Sequence, residues 1–173
     1  SSTSRGLGDV YKRQLLHHTR KMGCWLISDE VYHQIIFNED VACSFLQLSL
    51  PSDRLIVINS ASKSFNMTGW RIGWLTHPEE LGDHIAKLVQ ITTSGVPEFL
   101  QNGLISALKN FKSITYDLKI NLKKSRDLMF NRLMTWSKIQ CTLPQASFYA
   151  FFKVNDMNDS LQYAKHLIVT FYE

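Results

Sequence analysis

Two short apolar runs constrain the fold of this chain more than any other feature. Residues 24–28 (CWLIS) and 55–59 (LIVIN) are apolar on both faces, as strands buried between two layers of helices are. A helical stripe over residues 14–22 precedes the first run, and Gly23 is placed to end that helix. Strands that alternate with helices usually pair in parallel, so the sequence predicts an α/β domain with a mainly parallel sheet.

The rest of the chain extends this pattern and predicts how it divides into domains. A third strand is predicted at residues 70–76, two short strands at 139–143 and 148–154, and helices at 78–93, 97–109, 113–138 and 158–168. We expect part of a large domain over residues 15–112, a linking helix over 113–138, and the truncated start of a small α+β C-terminal domain over 139–173.

Residues 1–14 are expected to lie outside the native fold. They show no apolar periodicity and resemble the translated adapter-like tails that sometimes precede assembled sequence reads. The sequence also ends inside a helical pattern. We therefore expect a fragment of a longer enzyme, inactive and poorly stable by itself, because an incomplete sheet exposes apolar edges and faces.

Composition excludes several classes of function. The chain is 45% apolar and 12% aromatic, which is typical of a globular protein with a core. Its formal charge is only +4, without the basic stripe and interleaved aromatics that nucleic-acid binding needs, and no apolar run is long enough for a membrane span. The three scattered cysteines predict neither disulfides nor a metal site and favour a reducing, cytoplasmic location.

Polar side chains gather where the two buried runs end. Asp29 and Tyr32 follow the first run, Ser60 and Lys63 follow the second, and Arg71 comes eight residues after the lysine. Open α/β sheets bind ligands at the carboxyl ends of their strands. An amine, a carboxylate, a phenol, a hydroxyl and a guanidinium are together the groups that pyridoxal 5′-phosphate (PLP) requires of its protein.

The segments that carry these residues resemble a known family. SDEVY (28–32) and SASKSFNMTGWRIGW (60–74) closely resemble the signature of the class I/II aminotransferases, the PLP-dependent enzymes of fold type I. The resemblance continues through residues 92–108 and 143–154 and is nearest to the bacterial aspartate and broad-specificity enzymes. It implies that the expected α/β region is part of a PLP-dependent transferase large domain.

The resemblance also implies a role for each residue of the site. Lys63 would carry the cofactor as a Schiff base and shuttle the proton between the substrate and the cofactor. Asp29 would pair with the pyridinium nitrogen, and Tyr32 would hydrogen-bond the phenolic oxygen of the ring. Ser60 and Arg71 would hold the phosphate. The substrates would be an amino acid and a 2-oxo acid, and the parent protein would be a homodimer without nucleic-acid or membrane partners.

Each of these residues taken singly has a simpler interpretation. An Asp after a strand is often a helix cap, a lone Lys in a serine-rich turn is usually solvated, and an Arg is usually an ion-pair partner. Their conjunction at the family's spacing favours the PLP site. A PLP-dependent lyase or decarboxylase on the same fold, or the aminotransferase-like domain of a transcription regulator, remain as alternative functions.

We expect structural rather than catalytic roles for four nearby residues. Gly69 and Gly73 bracket Arg71, lack the GxGxxG spacing of a phosphate loop, and are expected to allow close backbone packing. Glu30 is expected to point away from Asp29, so that the two do not form an acid–base pair. His33 is expected to be structural.

Overall fold

The structure, a computed structural model, describes residues 2–38 and 41–172, with side chains described for residues 8–38 and 41–170. The chain divides into two compact units, residues 1–121 and 122–173, and the boundary falls inside one long helix. Each unit is described by itself.

The first unit contains one sheet and most of the helices. Its helices are α1 (Ser2–Met22), α2 (Ala61–Ser64), α3 (Gly82–Thr92), α4 (Glu98–Lys109) and the beginning of α5 (Phe111–Leu133). Its strands are β1 (Leu26–Asp29), β2 (Leu55–Ser60) and β3 (Gly73–Thr76). Short 3-10 turns occupy Phe45–Gln47, Thr68–Trp70 and Glu79–Leu81.

The second unit holds the rest of α5 and a small hairpin-like pair of strands. Strand β4 (Ile139–Cys141) pairs antiparallel with β5 (Phe152–Val154), and helix α6 (Ser160–Tyr172) follows. Both strands lie within the segments predicted for them, and the last helix begins close to its predicted start.

The sheet of the first unit confirms the α/β class, although only one of its two strand pairings is parallel as predicted. Its strand order is β1-β2-β3. Strands β1 and β2 are parallel, with Asp29 opposite Ile58, whereas β3 is antiparallel to β2, with Gly73 opposite Ser60. The third strand was predicted to begin at residue 70 but begins at 73. The reason is local, because residues 68–70 form a turn and Arg71 takes a left-handed backbone with φ 51°.

Helix α1 confirms its predicted end at Gly23 but is longer than its predicted apolar stripe. Gly23 has φ +66°, its N–H donates to the Arg20 carbonyl at 3.2 Å, and the Cys24 N–H donates to the Thr19 carbonyl at 3.0 Å. These paired bonds close the helix in the way that glycine permits. The helix also includes residues 2–13, where no element was predicted, because extending an existing helix costs little.

Two apolar clusters pack around β2 and the segments next to it. One lies under α1 and consists of Leu16, Phe45, Leu55 and Val57. The other lies under the segment that follows β2 and consists of Ala61, Phe65, Met67, Ile72 and Ala107. The second cluster holds α2 and the segment from residue 65 to 72 against α4.

An ion pair fixes the loop before β2 to the end of α1. Arg20 donates from Nε and Nη2 to the two carboxylate oxygens of Asp53, each at 2.6 Å. The Leu50 N–H donates to Asp53 Oδ2 at 2.8 Å, and the Asp53 side chain is only 5% exposed. This bidentate contact sets the entry of β2 into the sheet.

A membrane-spanning helix and a metal site are both absent from the described residues. No helix within residues 2–38 and 41–172 combines the length and the apolar character needed to cross a bilayer. Within the same ranges, no group of three or more His, Cys, Asp or Glu side chains is arranged to hold a metal ion.

Candidate active site

Four of the five predicted site residues meet at one edge of the sheet. Asp29 is the last residue of β1 and pairs with Ile58, and Ser60 ends the parallel strand β2 two residues further on. Ser60 lies opposite Gly73, and Gly73 is two residues after Arg71. Lys63 lies on helix α2, directly after β2. The backbone of Asp29, Ser60, Lys63 and Arg71 therefore lies at or next to the same end of the sheet.

The short helix that carries Lys63 is fixed at both its start and its side. Ser60 caps it, since the Ser60 Oγ accepts the Ser62 N–H at 3.1 Å. The same hydroxyl donates to the Ile72 carbonyl at 3.4 Å, which joins the helix to the segment before β3. Ser64 Oγ donates to the Val31 carbonyl at 3.3 Å, which connects α2 to the turn after β1.

The turn after β1 presents an exposed carboxylate and a half-buried phenol. Asp29 Oδ1 accepts the Val31 N–H at 3.1 Å, while the side chain stays exposed. Tyr32 lies in the turn itself, and its carbonyl accepts the Ile35 N–H at 2.8 Å. Because Val31 is bonded to Ser64, Tyr32 is carried beside the helix of Lys63.

Arg71 lies on the exposed side of the same edge. Within the described residues its guanidinium makes one hydrogen bond, from Nη1 to the Thr68 carbonyl at 3.0 Å. Most of its N–H donors are therefore available to a ligand. A non-glycine residue with φ 51° is uncommon, and such conformations cluster at ligand-binding segments.

This set of groups fits PLP by its chemistry. The exposed guanidinium of Arg71 suits a phosphate, and the Ser60 hydroxyl can donate to one in place of its 3.4 Å bond to the Ile72 carbonyl. The exposed carboxylate of Asp29 suits a protonated ring nitrogen. The half-buried amine of Lys63 lies between them in the chain and on the same edge.

Glu30, which sequence reasoning set aside, has a clear structural task. As expected, Glu30 does not share the position of the exposed Asp29 side chain. Glu30 is only 7% exposed and lies directly after β1. Its Oε1 accepts the Phe45 N–H at 2.9 Å and the Ser28 hydroxyl at 3.2 Å. It also lines a cavity of about 420 Å³ that borders Ser60 and not the other four predicted residues.

The two glycines around Arg71 behave differently from one another. A Cβ on Gly73 would lie 2.7 Å from the Asn59 carbonyl oxygen, which confirms that this position requires close packing. A Cβ on Gly69 would meet nothing within 4 Å, so the same expectation for Gly69 is wrong. Sequence reasoning missed Gly103, where a Cβ would lie 2.2 Å from the Trp70 ring. The sequence carries no signal for this contact, because residues 70 and 103 are brought together only by the fold.

Comparison with known proteins places this arrangement in a family. The family model for "Aminotransferase class I and II" matches residues 8–171. An aspartate aminotransferase from Thermotoga maritima is 30% identical over 97% of this chain and 44% of its own length. A probable aspartate aminotransferase from Methanocaldococcus jannaschii is 32% identical over 97% of this chain and 46% of its own.

A solved structure gives the same result in three dimensions. A crystal structure of aspartate aminotransferase from Thermotoga maritima superposes with a TM-score of 0.77 at 30% identity, over 91% of this chain and 40% of that one. The fold of the first unit is thus part of the large domain of a PLP-dependent transferase. The chain belongs to the class I and II aminotransferase family, whose members depend on PLP. It spans less than half the length of the curated relatives named above.

Proposed function

We propose that this chain is part of a PLP-dependent aminotransferase, which moves an amino group from an amino acid to a 2-oxo acid. The observation that carries the proposal is the position of Lys63, on the helix directly after β2 at the edge where Asp29 ends β1. Bound there, PLP supplies an aldehyde and an electron-withdrawing ring that stabilises negative charge on the substrate Cα.

Each residue of the site has its own role in binding the cofactor or in the reaction. The Lys63 amine anchors the cofactor and carries the proton to and from the substrate Cα. Asp29 keeps the ring nitrogen protonated, which its exposed position at the strand end allows. Tyr32 donates its hydroxyl to the ring oxygen. Ser60 and Arg71 hold the phosphate, and this is supported by the unused donors of Arg71.

Further properties of the parent protein belong to the same proposal. The names of the relatives make aspartate the first amino donor to test. We propose a cytoplasmic homodimer, and the three free cysteines are in keeping with the cytoplasmic location. The division into a large domain over 15–112, a linking helix over 113–138 and a small domain from 139 is also proposed.

Absorbance titration with PLP tests the cofactor site. The 173-residue chain is expected to give a saturable change in the PLP spectrum, and Lys63→Ala is expected to abolish it. Lys87→Ala is the matched control, because Lys87 is an exposed lysine on α3, away from the sheet edge. A Lys63→Ala chain that still gave the saturable change would refute the proposed role.

A further inference from the structure

We propose that Thr68 is a positioning residue that sets Lys63 and Arg71 at a matched separation, an inference that rests on the proposed function. Its hydroxyl and its backbone carbonyl bond to different partners. The hydroxyl bonds to the peptide that leads into Lys63, and the carbonyl accepts the guanidinium of Arg71.

The hydroxyl contact controls the peptide of the lysine. Thr68 Oγ1 donates to the Ser62 carbonyl at 3.1 Å, and that carbonyl belongs to the peptide bond joining Ser62 to Lys63. A helix leaves the carbonyls of its last turn without helical partners. In α2, backbone N–H groups from residues 65 to 67 reach the carbonyls of Ala61 and Lys63. The Thr68 hydroxyl supplies a donor for the carbonyl between them.

The carbonyl contact controls the guanidinium. Arg71 Nη1 donates to the Thr68 carbonyl at 3.0 Å, and the left-handed backbone of Arg71 turns its side chain back toward residue 68. A rigid ligand that carries an aldehyde and a phosphate needs its two anchors at one fixed spacing. Thr68 contacts both anchors' surroundings, because it bonds to the peptide that precedes Lys63 and to the guanidinium of Arg71 itself.

Variants of Thr68 separate positioning from simple stabilisation of a turn. Thr68→Val keeps the shape of the side chain and removes the hydroxyl, whereas Thr68→Ser keeps the hydroxyl. Thr93→Val is the matched control, because Thr93 is an exposed threonine at the end of α3 whose hydroxyl bonds to the Val89 carbonyl at 3.1 Å. Every variant is made in the full 173-residue chain.

Two measurements then test the inference. The first is amide hydrogen exchange over residues 62–66 without cofactor, where Thr68→Val is expected to speed exchange about fivefold. The second is the advantage of PLP over pyridoxal, which lacks the phosphate. It is measured as the ratio of Lys63 labelling by PLP to Lys63 labelling by pyridoxal after reduction with borohydride. That advantage is expected to fall about fivefold in Thr68→Val, and to stay near the original value in Thr68→Ser and Thr93→Val.

The outcomes keep this inference distinct from the proposed function. Unchanged exchange in Thr68→Val, an unchanged PLP advantage, or equal losses in Thr68→Val and Thr68→Ser would each overturn the role of Thr68. If the original chain labels Lys63 no better than its other lysines, the proposed function fails. The exchange measurement then still tests the role of Thr68. Unaltered exchange in Thr68→Val would show that the hydroxyl contact, on which the inference depends, does not hold the peptide of Lys63.

Discussion

Replacing Gly73 by Ala is expected to lower the free energy of unfolding by about 1–3 kcal/mol. The added Cβ would lie 2.7 Å from the carbonyl oxygen of Asn59, and that oxygen belongs to the neighbouring strand of the sheet. A backbone oxygen in a strand cannot move aside as the end of a flexible side chain can. Relief therefore requires β2 and β3 to separate at the Ser60–Gly73 pair, next to the lysine.

Gly69→Ala provides the matched control for this substitution. Gly69 has open space where a Cβ would be placed, and it is not among the described glycines with positive φ. Its substitution is expected to change the free energy of unfolding by no more than about 0.5 kcal/mol. Urea unfolding followed by tryptophan fluorescence measures both variants. Equal effects at Gly69 and Gly73 would show that the β2–β3 contact is looser than described.

Replacing Asp53 by Ala is the second substitution with a large expected effect, a loss of about 1–3 kcal/mol. The Asp53 side chain is nearly buried and accepts three N–H groups, two from Arg20 and one from Leu50. Its removal leaves the Leu50 N–H without this acceptor and frees the loop before β2 from α1. Asp117→Ala, at an exposed carboxylate on α5, is the control and is expected to be neutral.

The same residue predicts a dependence of stability on pH. Its hydrogen bonds with Arg20 lower the pKa of Asp53 below the ordinary value of 3.8, against the opposing effect of burial. A carboxyl whose folded pKa is depressed stabilises the fold above its unfolded pKa and loses that contribution as the pH falls through the folded pKa. The difference between the original chain and Asp53→Ala is therefore expected to be full above about pH 5 and to shrink below about pH 4. A difference that stayed constant down to pH 3 would contradict this assignment.

The positions of β1 and β2 could be predicted because their sequence pattern is simple, whereas the burial expected of β1 is wrong, since Ile27 is 62% exposed. CWLIS and LIVIN contain little besides apolar residues, and β1 and β2 lie on them. The start of β3 could not be predicted, since apolar residues lie on both sides of Arg71 in WRIGWLT. What shortens that strand is the left-handed backbone at Arg71, which depends on contacts with Thr68 and not on the composition of the run.

The site shows a similar division between pattern and packing. The spacing of Ser60, Lys63 and Arg71 along the chain was enough to propose a shared edge, because strand ends and the turns after them converge in an α/β sheet. Sequence alone did not separate Gly69 from Gly73, since only the neighbouring strand makes one of them crowded. Thr68 was missed for the same reason, because its hydrogen bonds join segments whose approach is set by the fold.

Mapping where PLP attaches tests whether Lys63 is the cofactor-binding lysine. The 173-residue chain is mixed with PLP, reduced with borohydride and digested, and the phosphopyridoxyl adducts are assigned by mass spectrometry. We expect one dominant adduct, on Lys63, at the edge formed by β1 and β2. Sparse adducts spread over many lysines, with Lys63 no more modified than exposed lysines such as Lys87 and Lys109, would contradict it.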